Sequence, residues 1–170
     1  MTATAPPLQL SDVNAMDEHA FVAAFGGIYE HAPWVAREAW RERPFVDVDA
    51  LRTALEGAVR SAAPDQRLSL IRGHPELAGE AVLTDESASE QASAGLDRLV
   101  PAELEELQRL NRAYRERFGF PLVVCVRELP KDAILAWGRE RLGRSHDQEV
   151  DTALGEIAKI ARLRLQDLVA

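Results

Sequence analysis

Three groups of side chains in this sequence have the types and spacing to do chemistry. The first is the run Arg72-Gly73-His74-Pro75-Glu76-Leu77. The proline that follows His74 biases it away from the helical region, and the preceding glycine breaks any helix before it. An imidazole presented from such a turn can project into a cavity, and histidine is the usual general acid or base near neutral pH. The same tripeptide also reads as a plain turn, the commoner case for a lone histidine in a loop. His19, His31 and His146 lie in polar contexts and read as surface residues.

The second group is Ser87-Ala88-Ser89-Glu90-Gln91-Ala92-Ser93-Ala94. Ser87, Glu90, Gln91 and Ala94 fall at i, i+3, i+4 and i+7 and so share one helix face. A hydroxyl, a carboxylate and an amide beside small residues suit a ligand more than a core. Ser-x-x-Glu is also the pattern of a capping box, in which Glu90 would serve only the backbone. Thr84, followed by two acids in the first turn, is at least as good a helix start. If Thr84 is the cap, Ser87 and Glu90 are released for other work.

The third is Arg164, which lies on or beside the apolar stripe of Ile157, Ile160, Ala161 and Leu168. A guanidinium there must find an anion or snorkel to the edge. A carboxylate-bearing ligand would serve, since the guanidinium fork binds carboxylates bidentately. A structural ion pair with one of the 28 acids would serve as well.

The elements that must position these residues are helical by periodicity. Ser11 and Asp12 offer caps for a first helix carrying Phe21, Phe25 and Ile28, which Gly26-Gly27 should end or deform. Pro33-Trp34 opens a second helix that Pro44 stops, and residues 48–62 form a third. A short helix from Pro64 breaks at Gly73-His74-Pro75. Further helices are predicted over about 84–99, 101–118, 130–142 and 148–168. Leu122-Val123-Val124-Cys125-Val126 is an apolar pentapeptide with no second strand to pair with, so it reads as a short buried extended segment. The fold class predicted is all-α: a single compact domain of about eight helices over residues 10–170, with residues 1–9 as a loose N-terminal arm.

Composition agrees. The 170 residues are one domain's worth, and 46% hydrophobic with 28% charged residues is globular rather than disordered. Cys125 is the single cysteine, so no intrachain disulfide can form, and no Cys/His cluster has metal-site spacing. The net charge of −8 disfavours nucleic acid or an anionic membrane as partner. No apolar run approaches the ~20 residues that span a bilayer, and the N-terminus lacks the pattern of a secretory signal, so the expected location is the cytoplasm.

Several motifs occur together and in order: Gly73-His74-Pro75-Glu76-Leu77-Ala78-Gly79, Leu83-Thr84, Glu86-Ser87, Ser89-Glu90-Gln91, Ala94-Gly95-Leu96, Leu110-Asn111, Tyr114, Phe118-Gly119-Phe120-Pro121 and Leu163-Arg164-Leu165. In this combination the chain, from about residue 10 to 168, resembles the 2-oxo-4-hydroxy-4-carboxy-5-ureidoimidazoline (OHCU) decarboxylases of urate degradation. Each motif is weak alone; the set is specific. The resemblance implies an all-helical lyase, cofactor-free and often dimeric, that converts OHCU to (S)-allantoin. It implies that His74 is the catalytic acid/base with Glu90 beside it and Pro75 in support. Ser87, Ala88, Ser89, Glu90 and Gln91 would bind substrate, as would Arg164. Backbone groups of Leu122, Val123, Val124, Cys125 and Val126 would read the ring's amide edges.

The implied chemistry fits the inventory. Many decarboxylases recruit an organic cofactor to accept the electron pair left by CO₂. OHCU supplies its own sink in the ring, so the protein need only place the ring, stabilise the developing charge and deliver a proton to one face. Two competitors remain: a non-enzymatic helical ligand-sensing domain that kept the pocket, which predicts loss of His74 or Glu90, and a decarboxylase of a related ureido or hydantoin acid.

Overall fold

The computed structural model describes residues 6–80 and 82–170. In chain order the helices are α1 (Leu10–Ala15), α2 (Glu18–Phe25), α3 (Pro33–Trp40), α4 (Val48–Ser61), α5 (Pro64–Arg72), α6 (Asp85–Ser93), α7 (Pro101–Phe118), a 3₁₀ turn η1 (Val126–Glu128), α8 (Lys131–Arg141) and α9 (His146–Leu168). Among the described residues there is no strand, only one isolated parallel bridge between Leu8 and Val169. The all-α class is as the periodicity requires. Residues 1–5 of the expected arm lie outside the described residues, and Leu8 is held to the chain's end by that bridge.

Two boundaries differ from expectation. The first predicted helix is two. Neither Ser11 nor Asp12 is a cap: α1 starts after Gln9, which makes no side-chain cap. Asp17 starts α2 by accepting the Ala20 N–H at 2.8 Å, and a carboxylate competing for backbone donors in this way ends one helix and begins the next. α6 stops at Ser93 rather than 99, because Gly95 takes a left-handed φ of 80° that terminates the helix.

The chain divides into two compact units: one runs to Leu70 and includes Ala158–Ala170, and the other is Ile71–Ile157. In the first, α3 packs on α2 and α4. Their apolar faces close over Phe21, Phe25, Val35, Ala39, Phe45, Leu51 and Leu55, all buried. The Phe21 and Phe25 rings lie 4.6 Å apart. Asn14 ties α1 to the turn before α4, donating to the Phe45 carbonyl at 2.9 Å and accepting the Phe45 N–H at 2.8 Å.

The second unit is built around α7. Leu107, Leu110, Tyr114 and Phe118 form its buried stripe, and Tyr114, Phe118 and Phe120 cluster with centroids 4.7–5.9 Å apart. Gly119 ends α7 with φ 75°, a conformation costly for any residue with a Cβ, and turns the chain into Phe120-Pro121 and the apolar pentapeptide.

A polar knot sits inside this apolar core. Arg141, Glu149 and Tyr114 are each fully buried. Arg141 Nε donates to Glu149 Oε2 at 2.9 Å, Nη1 to the Val123 carbonyl at 2.7 Å and Nη2 to the Tyr114 hydroxyl at 3.2 Å, while that hydroxyl donates to Glu149. Burial, with the Glu149 carboxylate next, pushes the Tyr114 phenol well above its ordinary pKa, so it remains a donor. Breaking a buried pair strands the partner charge at a cost of about 3–5 kcal/mol. Arg141→Met is therefore expected to lose about that much unfolding free energy in a denaturant titration, and Tyr114→Phe, which removes one hydroxyl, about 1 kcal/mol.

Candidate active site

His74 stands outside helix, just past α5, with its N–H donated to the Ile71 carbonyl at 3.2 Å. The residue is only 8% exposed, an unusual state for a histidine in a turn. Pro75 beside it is half-buried. The segment that follows is held by two amides. Gln91 of α6 accepts the Ala78 N–H on Oε1 at 2.8 Å, and Asn111 of α7 donates from Nδ2 to the Leu77 carbonyl at 3.0 Å. Ala78 has φ 49°, a left-handed conformation that a residue with a Cβ adopts only when its surroundings over-determine it. The two amide clamps supply that determination.

α6 settles the question of its cap. Thr84 is the N-cap, and its hydroxyl accepts the Ser87 N–H at 3.2 Å. Glu90 is thus not the third residue of a box opened by Ser87. Ser87 and Gln91 are buried and Glu90 is half-buried, whereas Ala88 and Ser89 are exposed. Gln91, expected as a substrate ligand, spends its carbonyl on the Ala78 clamp.

The pentapeptide is buried throughout; Leu122 to Cys125 are neither helix nor strand, whereas Val126, expected as extended, already opens the 3₁₀ turn η1. Its backbone is less available than the bare sequence suggests. The Val123 carbonyl receives Arg141, the Cys125 N–H donates to Glu156 Oε2 at 2.8 Å, and the Cys125 carbonyl accepts the Glu128 N–H at 3.1 Å. Buried backbone groups demand partners, and here side chains of α8 and α9 provide them. α6 packs against η1, at the end of this segment. The Cys125 thiol feels Glu128, Glu156 and Glu90. The second unit therefore gathers the His74 loop, α6 and the pentapeptide around the stem of α7. An open groove of about 650 Å³ flanks the end of the pentapeptide, lined by Ser93, Arg98, Val126, Arg127 and Lys131 among others.

Arg164 belongs to the first unit and is buried there with Glu30. Its Nη1 lies 2.9 Å from Glu30 Oε2 and also reaches the carbonyls of Gly27 and Ile28 at 3.2 and 3.4 Å. Of the two readings of this residue, the ion pair is realised, and it fixes the guanidinium on the α2–α3 turn. His19, His31 and His146 are exposed, as expected. Among the described residues, no group of three or more His, Cys, Asp or Glu is placed to hold a metal ion, and no helix is long and apolar enough to cross a membrane.

Sequence reasoning gave no role to Glu30, Asn111, Arg141, Glu149 or Glu156. A signal existed for two of them. Glu149 and Glu156, with Ala153 and Ile160, lie at 3–4-residue steps along the buried stripe of α9, where acids have no reason to be unless something is held there.

A family model described as OHCU decarboxylase matches residues 14–166. A curated 2-oxo-4-hydroxy-4-carboxy-5-ureidoimidazoline decarboxylase of Haloferax volcanii is 49% identical, covering 94% of this chain and 95% of the relative. That of Halalkalicoccus jeotgali is 44% identical over 95% and 92%. A crystal structure of (S)-allantoin synthase superposes with a TM-score of 0.80 at 29% identity, covering 96% of this chain and 54% of the longer neighbour. The chain belongs to the OHCU decarboxylase family.

Burial, followed by the charges of Glu128, Glu156 and Glu90, pushes the Cys125 thiol up to about 11 from an ordinary 9.0. A raised acid pKa means that the folded state holds the proton more tightly. The stability this contributes is complete below pH 9 and falls as pH rises from about 9 to 11. Thiolate absorbance in the native protein is expected to titrate near 11, and in denaturant near the ordinary thiol value.

Proposed function

We propose that the protein decarboxylates OHCU to (S)-allantoin in urate degradation, as a carboxy-lyase. The observation that carries this reading is a buried imidazole, His74, on a strained loop pinned by Gln91 and Asn111, in a chain whose family is decarboxylating. A surface turn needs neither burial nor clamps; a proton-transferring group needs both, because its position must survive each turnover.

The substrate's name defines the task. One ring carbon carries the hydroxyl and the carboxylate, and its neighbour carries the ureido group. When CO₂ leaves, its electron pair forms a double bond to the ureido-bearing carbon and displaces the C=N pair onto the ring nitrogen, which takes up a proton. Loss of the hydroxyl proton then makes a ring carbonyl, and delivery of a proton to the ureido-bearing carbon from one face makes the stereocentre. His74 carries the proton, in one or both of these steps. Glu90, on the neighbouring helix and released from capping by Thr84, orients the imidazole and favours its protonated form. Ser87 and the amide N–H groups of Gln91 bind substrate oxygens, with Ala88 and Ser89 completing that turn of α6. Pro75 fixes the entry to the loop.

In the pentapeptide, the backbone groups of Leu122, Val124 and Val126, with those of Val123 and Cys125 not already engaged, read the ring edge. Arg164, its fork held by Glu30, is suited to a carboxylate or ring oxygen. The ring's own electron sink supports a cofactor-free reaction. The family resemblance supports a homodimer, and the net charge of −8 speaks against nucleic acid or an anionic membrane as partner.

The test is to supply freshly generated OHCU and follow optical activity. The uncatalysed reaction gives racemic allantoin, so optically active product is the diagnostic, and racemic product at the background rate overturns the proposal. His74→Ala should lower turnover roughly 10²–10⁴-fold. Glu90→Gln should lower it more than tenfold while unfolding free energy stays within about 1 kcal/mol, since no packing is lost. Full activity with early melting in Glu90→Gln would return Glu90 to a purely structural role. Exhaustive chelation and dialysis should leave turnover intact.

A further inference from the structure

The chain has two asparagines, and they are used differently. Asn14 is satisfied at both ends of its amide, donating to one backbone group of Phe45 and accepting from the other. Asn111 is 4% exposed and donates from Nδ2 to the Leu77 carbonyl, but its Oδ1 is buried without a hydrogen-bond donor among the described residues. Exchanging the two ends of the amide would not help, because Nδ2 would then be stranded and two carbonyls would face each other. A buried acceptor left unmade forfeits its hydration in full, and such atoms are rare in native interiors. Aspartate would bury a charge, and leucine of similar size would lose the Leu77 clamp.

The place of this atom narrows what it is for. Asn111 holds the residue three positions after His74, in the same short segment that Gln91 clamps at Ala78. We propose that Asn111 is a substrate-binding residue: its Oδ1 accepts an N–H of the substrate's ureido or ring-amide groups, while its Nδ2 holds the His74 loop. The inference rests on the function proposed above. One rigid amide thereby links substrate to the segment that carries the acid/base, so that ring orientation and imidazole position are set together. The acceptor also gives selectivity. A site with a buried carbonyl rejects ligands that bring no N–H to it, because the carbonyl is then left unpaired.

The experiment labels the wild-type protein with asparagine enriched in ¹³C and ¹⁵N, giving two side-chain carbonyl signals of which Asn14 is the internal reference. Titration with allantoin, which retains the ureido and ring N–H groups, is expected to move the Asn111 carbonyl carbon downfield, as acceptance of a hydrogen bond does, and to leave Asn14 in place. A second arm compares allantoin with derivatives methylated at single nitrogens. Wild-type protein should bind one of them roughly tenfold or more weakly than its Asn111→Leu variant's own ratio would give, since the variant has no acceptor to leave unpaired. A merely structural Asn111 would alter melting and turnover but not this ratio. An Asn111 signal unmoved up to the solubility limit of allantoin overturns the proposal, as does equal discrimination by the two proteins. If Asn111→Leu does not fold, the wild-type spectrum decides alone. Optically active product with an unmoved Asn111 signal would sink this inference and leave the decarboxylase reading standing; racemic product would sink that reading itself.

Discussion

One buried guanidinium organises the second unit. Arg141 has no access to solvent, and its three donor nitrogens reach three different parts of the chain: Glu149 on α9, Tyr114 on α7 and the Val123 carbonyl. A charge in an apolar interior is tolerable only if it is paired and its remaining protons are satisfied. Those conditions fix the end of α8, the start of α9 and the middle of α7 at once. They also fix a stretch of chain that has no regular structure of its own. Residues 122–125 stay out of helix in a helical protein because Arg141 takes a carbonyl from them and Glu156 takes an N–H.

The same economy governs the His74 loop. A proline and a left-handed alanine keep it out of helix, and two side-chain amides from α6 and α7 replace the hydrogen bonds that helix would have given. Irregular backbone is thus made rigid by side chains, at both places where the proposed chemistry needs it. Loops positioned by a stiff scaffold are where binding and catalysis usually sit. Here the stiffness extends into the loop itself. Asn111 and Gln91 act there as structural pins, one amide holding the Leu77 carbonyl and the other the Ala78 N–H.

Much of the candidate site was legible because local rules are strong. The flanking Gly73 and Pro75 bias His74 out of helix from the local sequence alone. The 3.6-residue period alone puts Ser87 and Gln91 on one face, and both are buried. The choice between Thr84 and Ser87 as cap was not legible: both sequences satisfy the capping rule, and it turns on where the chain enters the helix, which lets the Thr84 hydroxyl accept the Ser87 N–H. Helix ends were missed at Asp17 and Gly95 for a related reason, since a carboxylate or glycine inside a periodic run ends a helix only when the chain beyond has somewhere better to go.

The sequence by itself determined the helical class, the break at residues 73–75, the nonhelical stretch over residues 122–125 and, through the joint occurrence of its motifs, the family. Each of these follows from periodicity, from backbone restrictions of Gly and Pro, or from pattern, and none requires knowing what packs against what. Only the tertiary structure decided which polar residue serves which partner. Arg141 could have been one more surface arginine of α8. Arg164 could have met any of 28 acids, and it meets Glu30, 134 residues away. Asn111 gave no sign of having one satisfied end and one buried carbonyl. The reason is physical: a hydrogen bond depends on distances of tenths of an ångström between groups far apart in the chain, and desolvation multiplies its worth only once burial is known.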